Sequence, residues 1–422
     1  MISIMDQTSV NQAKIQMINR SLILNLLRQE GLCSRATLAK LSGLRQATIT
    51  NIVGELIHSG LVVETGLIAG EKNRRSIGLT LNDERFQVIG VHLTRQTCTA
   101  CLMGLSGKLY DKWEYPIVPE EQGEAALERV RTMIQTIVRE HSDAEILSAG
   151  VAVPGPYQES EDRLLFVTGM PGWQDCPVRE TLSRGLDLPL YILNDANAGA
   201  FAQLWYNSHD AHTQNMVYIL AGQGIGCGMI VDGKLLLGQQ SLAGEFGHSS
   251  IQFDGPICAC GNRGCLEQYG SMRALFERIS EQLDHGAISR LHRNCLNVHA
   301  LSQAIKNGDR VASDAYRYVC GFLAMGIVSL MNQLNPGKIV IGDQLAEIYP
   351  EMMLDVITKS VESRTNALLA GNIVVEVNQL HPNPSLLGAG AYAVHRELEK
   401  PARLLTAVTR HTILYSSRRE LA

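Results

Sequence analysis

GHSSIQFDGPICACGNRGCLEQYG, residues 247–270, holds one histidine and three of the chain's ten cysteines. His248, Cys258, Cys260 and Cys265 offer one imidazole and three thiolates, a complete tetrahedral set for zinc that leaves no position for water. Gly261 and Gly264 supply turns that let the chain wrap around a single ion. The competing readings are a disulfide, or thiols packed in a core. The other seven cysteines (33, 98, 101, 176, 227, 295 and 320) lie singly, mostly on apolar segments, as thiols do in a reducing compartment. There a Cys-x-Cys pair acts as a metal clip, so the stretch predicts one structural Zn2+ per chain.

Pinning this loop has consequences for its flanks. Glu245 lies three residues before His248 and Glu267 two after Cys265, so both carboxylates would point into one neighbourhood and accept hydroxyl protons. If one ring nitrogen of His248 takes the metal, the other is free to donate to a ligand oxygen. The plainer alternative is that both glutamates cap turns or face solvent. Further upstream, NDANAGAFAQLWY (194–206) follows the apolar run LYIL and places Asp195 where a strand gives way to a small-residue helix. Ligands gather at such strand ends, and a carboxylate there accepts sugar hydroxyls or takes a proton during phosphoryl transfer. It would equally serve to cap the helix. Glycines 222, 224, 226 and 228 resemble a phosphate cradle, yet suit a flat hairpin approached by another backbone just as well.

The N-terminal segment is of another kind. Helical spacing of leucine and isoleucine over 20–33, SRATLAKLSG with Ser34 as N-cap, Leu38 and Leu41 as its buried side and Gly43 as the turn, and a third helix from Gln46 form a helix-turn-helix. That third helix buries Ile49, Ile52, Val53, Leu56 and Ile57, leaving Arg45, Gln46, Ala47, Thr50 and Asn51 to meet base edges in a major groove. GLVVETG and IGLTLN read as strands of a wing whose tip carries Lys72, Arg74 and Arg75 toward phosphate. The alternative is a small helical cap with a solvated hairpin. Residues 1–80 hold nine Lys/Arg against five Asp/Glu, about +4, so a net charge of −5 leaves about −9 on the remainder. A nucleic-acid-facing end on an acidic body fits that asymmetry.

From residue 86 onward, strands such as FQVIGVHL, ILSAGVAV and NMVYILAG alternate with amphipathic stretches, which predicts an α/β body with a mixed sheet. Segments 86–103 and 216–237 share a strand, Gly-turn, strand pattern that two similar lobes would explain. With no leader-like N-terminus and no apolar run long enough to span a bilayer, a soluble cytoplasmic protein without membrane insertion is expected.

In order along the chain, VPGP (153–156), MPGW (170–173), NDANA (194–198), GEFGH (244–248) and CACGNRGCLE (258–267) resemble the signature of the ROK family of repressors and sugar kinases. With the winged helix ahead of them they resemble its repressor branch, typified by the NagC and Mlc regulators. The resemblance implies residues 1–82 as the winged helix-turn-helix domain, 83–194 as a smaller α/β lobe completed by a C-terminal helix within 381–422, and 195–380 as a larger lobe. The larger lobe would hold the zinc loop, the sugar cleft and the dimerisation surface of an actin-like body. It further implies sugar contacts by Asn194, Asp195, Glu245, His248 and Glu267, and a homodimer or dimer of dimers on a palindromic operator.

Kinases of the family open their body with Asp-x-Gly-Gly-Thr; here the run is VIGVHLTRQ, with His92 at the Asp position and Thr94, Arg95 and Gln96 after it. Bulky side chains are therefore expected in the triphosphate space, with no carboxylate for magnesium. Gln223 and Gly342-Asp343-Gln344 replace two further nucleotide contacts, which leaves Asp195 as the vestige of a catalytic base, and Gly169 replaces a common asparagine on the sugar side. The expected function is a repressor of sugar-uptake or catabolic genes responding to a sugar or sugar phosphate. The alternatives are an ATP-dependent hexose or N-acetylhexosamine kinase with a DNA-binding appendage, or a regulator governed by a protein partner, for instance at the C-terminal tail.

Overall fold

Ser34 accepts the Thr37 amide at 3.1 Å and starts α2 (Arg35–Ser42); Gly43, at φ 69°, donates to Ala39 O and ends it in the left-handed conformation that only glycine adopts cheaply. These two local devices fix the turn between α2 and α3 (Gln46–His58), which α1 (Gln12–Glu30) braces from behind. The computed structural model describes residues 12–69, 75–118, 121–167, 169–401 and 404–405. Ile23, Leu24, Leu27, Leu38, Ile49, Val53 and Leu56 form the core of this unit. Leu41, expected inside, is 47% exposed, because α2 is only eight residues long and Leu38 alone points at α3. Helix α1 also begins eight residues earlier than its leucine spacing suggested: Ile15 and Ile18 in its first turns are exposed and give no inward pattern to read. Strands β1 (Val62–Ala69) and β2 (Arg75–Leu81) pair antiparallel as the wing, with a register shift between Glu64 and Leu67. Arg75 stands exposed at the head of β2, whereas Lys72 and Arg74 lie outside the described residues.

The body repeats one topology twice. In the first sheet β3 (Phe86–Leu93), β4 (Thr97–Gly104) and β5 (Leu109–Pro116) form an antiparallel meander, and β6 (Glu145–Val153) and β7 (Leu190–Asn194) add in parallel on the far side of β3. The second sheet does the same with β8 (Met216–Ala221), β9 (Ile225–Val231) and β10 (Lys234–Leu235), then β11 (Lys338–Gly342) and β12 (Val374–Val377). The two strand-turn-strand segments legible in the sequence are thus the founding hairpins of two like lobes, and both sheets are mixed. Helix α4 (Gly123–Glu140) covers one face of the first sheet through Leu127, Val130 and Ile134. The long α6 (Arg310–Leu334) builds the core of the second through Tyr316, Val319, Leu323 and Ile327.

Two helices join the halves. Helix α5 (Asp195–Tyr206) packs on β8 and β9, and α7 (Pro384–Glu399) returns from the C-terminal part of the chain to lie on β3, β6 and α5. Their approach is close enough to require glycine: a Cβ on Gly388 would collide with Ala198 O, and one on Gly228 with Ala196 O. Gly226 likewise faces Ala196, so this part of the 222–228 run serves close packing of a helix on a hairpin. At its far end α5 meets the N-terminal helical unit. Trp205 shares one apolar cluster with Leu24 and Leu27 of α1 and Leu398 of α7, and the Arg28 guanidinium lies 3.7 Å from the Trp205 ring centroid. No described helix is long and apolar enough to cross a membrane.

Candidate functional site

The loop that follows β10 folds back through the 244–267 segment and brings four ligand atoms together. His248, Cys258, Cys260 and Cys265 each place one donor within 4.8 Å of all the others. His248 Nδ1 is 3.5 Å from Cys258 Sγ, and Cys260 Sγ is 3.7 Å from Cys265 Sγ. Zn–S bonds of about 2.3 Å and Zn–N bonds of about 2.0–2.1 Å in a tetrahedron space the ligand atoms roughly 3.5–3.8 Å apart, so the donor set fits zinc. A disulfide needs about 2.05 Å, and the three cysteines are unbridged. The outer contacts fit as well: Asn262 Nδ2 donates to His248 O at 3.1 Å and Gln268 Nε2 approaches Cys258 Sγ at 3.5 Å. Burial, then the neighbouring thiols, push Cys265 up to about 12, a crowding of would-be anions that a dication relieves.

With Nδ1 turned to the thiols, His248 Nε2 faces the cleft, 3.9 Å from Glu245 Oε2. Asn194, Asp195, Glu245, His248 and Glu267 all line one cavity of about 50 Å3 between the lobes. The helix cap proves to be Asn194, whose Oδ1 accepts the Ala196 and Asn197 amides at 2.9 and 3.3 Å, while its Nδ2 donates to Gly155 O. Asp195 stands instead as the first helical residue, with Oδ1 sharing the Ala196 amide at 2.8 Å. Glu267, 3% exposed, accepts the Ile225 amide at 3.0 Å, which ties it to the start of β9. Burial raises Asp195 to about 7 against the pull of Arg95; burial, then Asp195 and Glu267, raise Glu245 to about 7. Carboxyl groups held near neutrality both donate and accept, as recognition of hydroxyls requires.

Beyond Asp195 a second space of about 340 Å3 opens between His92, Arg95, Gln223, Asp343 and Asn383. Here the bulky replacements differ from expectation, because they do not fill the cavity. His92 is buried in β3, driven down to about 4 by burial, with Nε2 unpartnered. Arg95 lines both cavities, and its Nη2, like Glu267 Oε2, lies against Gly224, where a Cβ would collide. Its charge lowers Asp195 and Asp343 together, although burial still lifts Asp343 to about 6. A fixed cation therefore stands among carboxylates where a metal-bound nucleotide would bring its own. Arg95 entered the sequence reading only as an obstruction; its link to Asp195 depends on a hairpin folding over a helix one hundred residues later. Asn197 was also passed over, though it lies inside the quoted NDANA run and lines the same cavity as Asp195 and Glu267.

In the N-terminal unit, Arg45, Gln46, Ala47, Thr50 and Asn51 are all exposed along one edge of α3. Arg45 occupies the N-cap position in extended conformation and makes no side-chain cap, so the first-turn amides stay open to an anion.

The sequence matches the ROK family over residues 88–396. The chain belongs to the ROK family. Among ROK relatives, the xylose repressor of Caldicellulosiruptor bescii is 30% identical over 399 residues, 93% of this chain and 99% of that protein. The Escherichia coli transcriptional repressor Mlc is 29% identical over 389 residues, 89% of this chain and 93% of its own length. A solved ROK transcriptional regulator, a homolog of E. coli Mlc, superposes with a TM-score of 0.77 at 26% identity, covering 93% of this chain and 98% of that one. A ROK glucokinase from Streptomyces griseus, at 24% identity, has a TM-score of 0.63 over 72% of this chain and 98% of its own, and shares the fold. The ROK architecture here is thus the winged helix-turn-helix followed by the two-lobed, actin-like α/β body.

Proposed function

We infer that this chain is a DNA-binding transcriptional repressor whose operator affinity is set by a sugar or sugar derivative held between its lobes. The observation that carries the reading is a single helix: α5 starts at Asp195 in the cleft and ends under Arg28 of α1. At 1.5 Å per residue it spans about 18 Å, enough to carry a shift of the cleft to the DNA-binding unit as one rigid piece. A cavity of about 50 Å3 is smaller than the 300 Å3 or more of ordinary ligand sites, so an effector would enter only as the lobes part. Ser241 Oγ of the second lobe and Glu159 Oε2 of the first, 3.5 Å apart, would separate in that motion. The zinc would be structural, fixing His248 and Glu267.

DNA contacts are assigned to Arg45, Gln46, Ala47, Thr50 and Asn51 of α3 and to Lys72, Arg74 and Arg75 of the wing, in a homodimer or dimer of dimers on a palindromic operator. Such a protein acts in the cytoplasm, and a regulatory protein partner is compatible with the same fold. A mobility-shift titration with and without a sugar panel tests the assignment. Asn51→Ala is expected to lose about 1–3 kcal/mol of discrimination at one base position, whereas Arg75→Ala should weaken all sequences alike and flatten the salt dependence by about one unit of slope. Unchanged binding in both variants removes the winged-helix assignment.

Phosphoryl transfer is not part of this reading, since His92 stands where kinases of the family have the magnesium-facing Asp and Arg95 where they have a glycine. One observation favours the second reading, a kinase with an appended DNA-binding unit: the nucleotide-side cavity remains open beside an intact Asp195. A coupled assay with ATP, magnesium and a sugar panel is expected to show no turnover. Sugar-dependent turnover abolished by Asp195→Asn would establish the kinase.

A further inference from the structure

We propose that a second cavity, adjoining the sugar cleft and lined by Arg179 and Arg396, receives the anionic group of an acidic saccharide, one bearing a phosphate ester or a carboxylate. The inference rests on the sugar reading above and narrows its ligand class. The cavity measures about 320 Å3, large enough for a ligand moiety, and shares Asn194, Asn197 and Ser241 with the sugar cleft. A ring held at Asn194 and Asp195 therefore borders it directly.

Three observations point to what would occupy it. The first is Asn197, 2% exposed, on the wall common to both cavities, whose Oδ1 is buried with no hydrogen-bond partner. A buried amide oxygen is seldom left unpaired in a finished site, and a saccharide hydroxyl is the donor this position lacks. Charge is the second. Arg179 and Arg396 face this cavity against one lining carboxylate, Glu159, whereas the sugar cleft sets Asp195, Glu245 and Glu267 against Arg95 alone. An anionic substituent finds guanidinium groups only in the cavity behind the cleft in this count, apart from Arg95, which is already set among carboxyl groups, and that fixes the direction in which such a ligand would lie.

The third is that both arginines are held in place before any ligand arrives. Arg179 donates from Nη1 to Leu190 O at 2.8 Å and meets Glu159 from Nη2 at 3.4 Å. Arg396 donates from Nη1 to the Tyr392 hydroxyl at 3.0 Å, lies over the Tyr191 and Tyr392 rings, and has Glu399 at 3.8 Å from Nε. Each planar fork keeps further N–H groups for a phosphate or carboxylate, the anions that guanidinium geometry matches in pairs.

The test is calorimetric binding to the full chain of glucose, mannose and galactose, each beside its 6-phosphate, and of glucuronate and galacturonate. At least one acidic sugar is expected to bind about tenfold or more tighter than its neutral parent, as charge-assisted contacts to arginine imply. Arg396→Gln should erase that advantage and leave the neutral parent's affinity unchanged, while Arg396→Lys should keep part of it. Thermal unfolding of both variants controls for folding, and Arg179→Gln provides an independent second site. Phosphate esters alone, or uronates alone, showing the advantage would identify the source of the anion. If neutral sugars bind at least as tightly as their acidic forms, or if Arg396→Gln weakens both equally, the anion site is overturned while the sugar reading stands. Failure of every saccharide to bind overturns both.

Discussion

Cys260→Ser is expected to drop bound zinc from one equivalent per chain to near zero and to abolish the response of operator binding to effector, while leaving operator binding itself in place. Cys260 is the most suitable ligand to remove because it is half-buried at the rim, whereas Cys258 and Cys265 are buried and their loss would also open a packing defect. Loss of one thiolate from a closed four-ligand site forfeits most of a binding free energy of about 10 kcal/mol or more in small zinc modules. The loop from Glu245 to Glu267 would then lose its clasp, and with it the orientation of His248 Nε2 and of the carboxylate that accepts the Ile225 amide. The winged helix makes its core from Ile23, Leu27, Leu38, Ile49 and Leu56, on elements remote in sequence from this loop, which is why DNA affinity should persist. Metal analysis of the purified chain, thiol titration and mobility shift measure the three quantities. Because Cys ligands bind as thiolates, zinc should also be released on acidification, with affinity falling as pH drops. A parent chain free of zinc, with all three thiols reactive, ends the metal assignment.

The His248, Cys258, Cys260 and Cys265 cluster was legible because its chemistry is local: four candidate ligands within 18 residues, with turn glycines between them, leave few other uses for those side chains. The helix-turn-helix was legible for a similar reason, since Ser34, Gly43 and the bare edge of α3 are signals read within one turn of where they act. Asp195 was harder, because capping and ligand binding ask for the same residue type at a strand-helix junction. Only the fold, in which Asn194 is the N-cap, separates the two. What escaped the sequence was pairing at long range. Arg95 on a hairpin of the first lobe acts electrostatically on Asp195 and Asp343 and lines one cavity with Glu267, all on later elements, and no periodicity or spacing announces that. Leu41 failed for the opposite reason: its helical phase is right, but an eight-residue helix has only enough neighbour to bury one leucine.

Trp205→Ala is expected to leave a protein that still binds its operator but no longer releases it when effector is added. Allosteric coupling of this kind is worth about 1–3 kcal/mol, a 5–150-fold change in operator affinity, and the variant should bring that ratio close to one. Trp205 is where the end of α5 grips α1: its ring lies under Arg28, its carbonyl accepts Arg28 Nη1 at 3.5 Å, and it packs among Leu24, Leu27 and Leu398. Burial brings the Arg28 guanidinium down only to about 10, so it stays charged at neutral pH, and a desolvated cation over an indole contributes up to about 2 kcal/mol. Truncating a buried tryptophan also costs about 3–5 kcal/mol of stability, so the variant is to be compared with two milder ones. Trp205→Phe keeps a ring and should retain most of the coupling. Arg28→Gln removes the cation without opening a large cavity and should lose part of the coupling at little cost in melting temperature. Were all three to release operator as the parent does, the signal would have to leave the cleft by another element, and the remaining bridge between the halves is α7, locked to α5 at Gly388. Because that crossing admits no side chain, movement of α5 relative to α7 is sterically resisted, and the two helices are expected to turn together against α1 as one body.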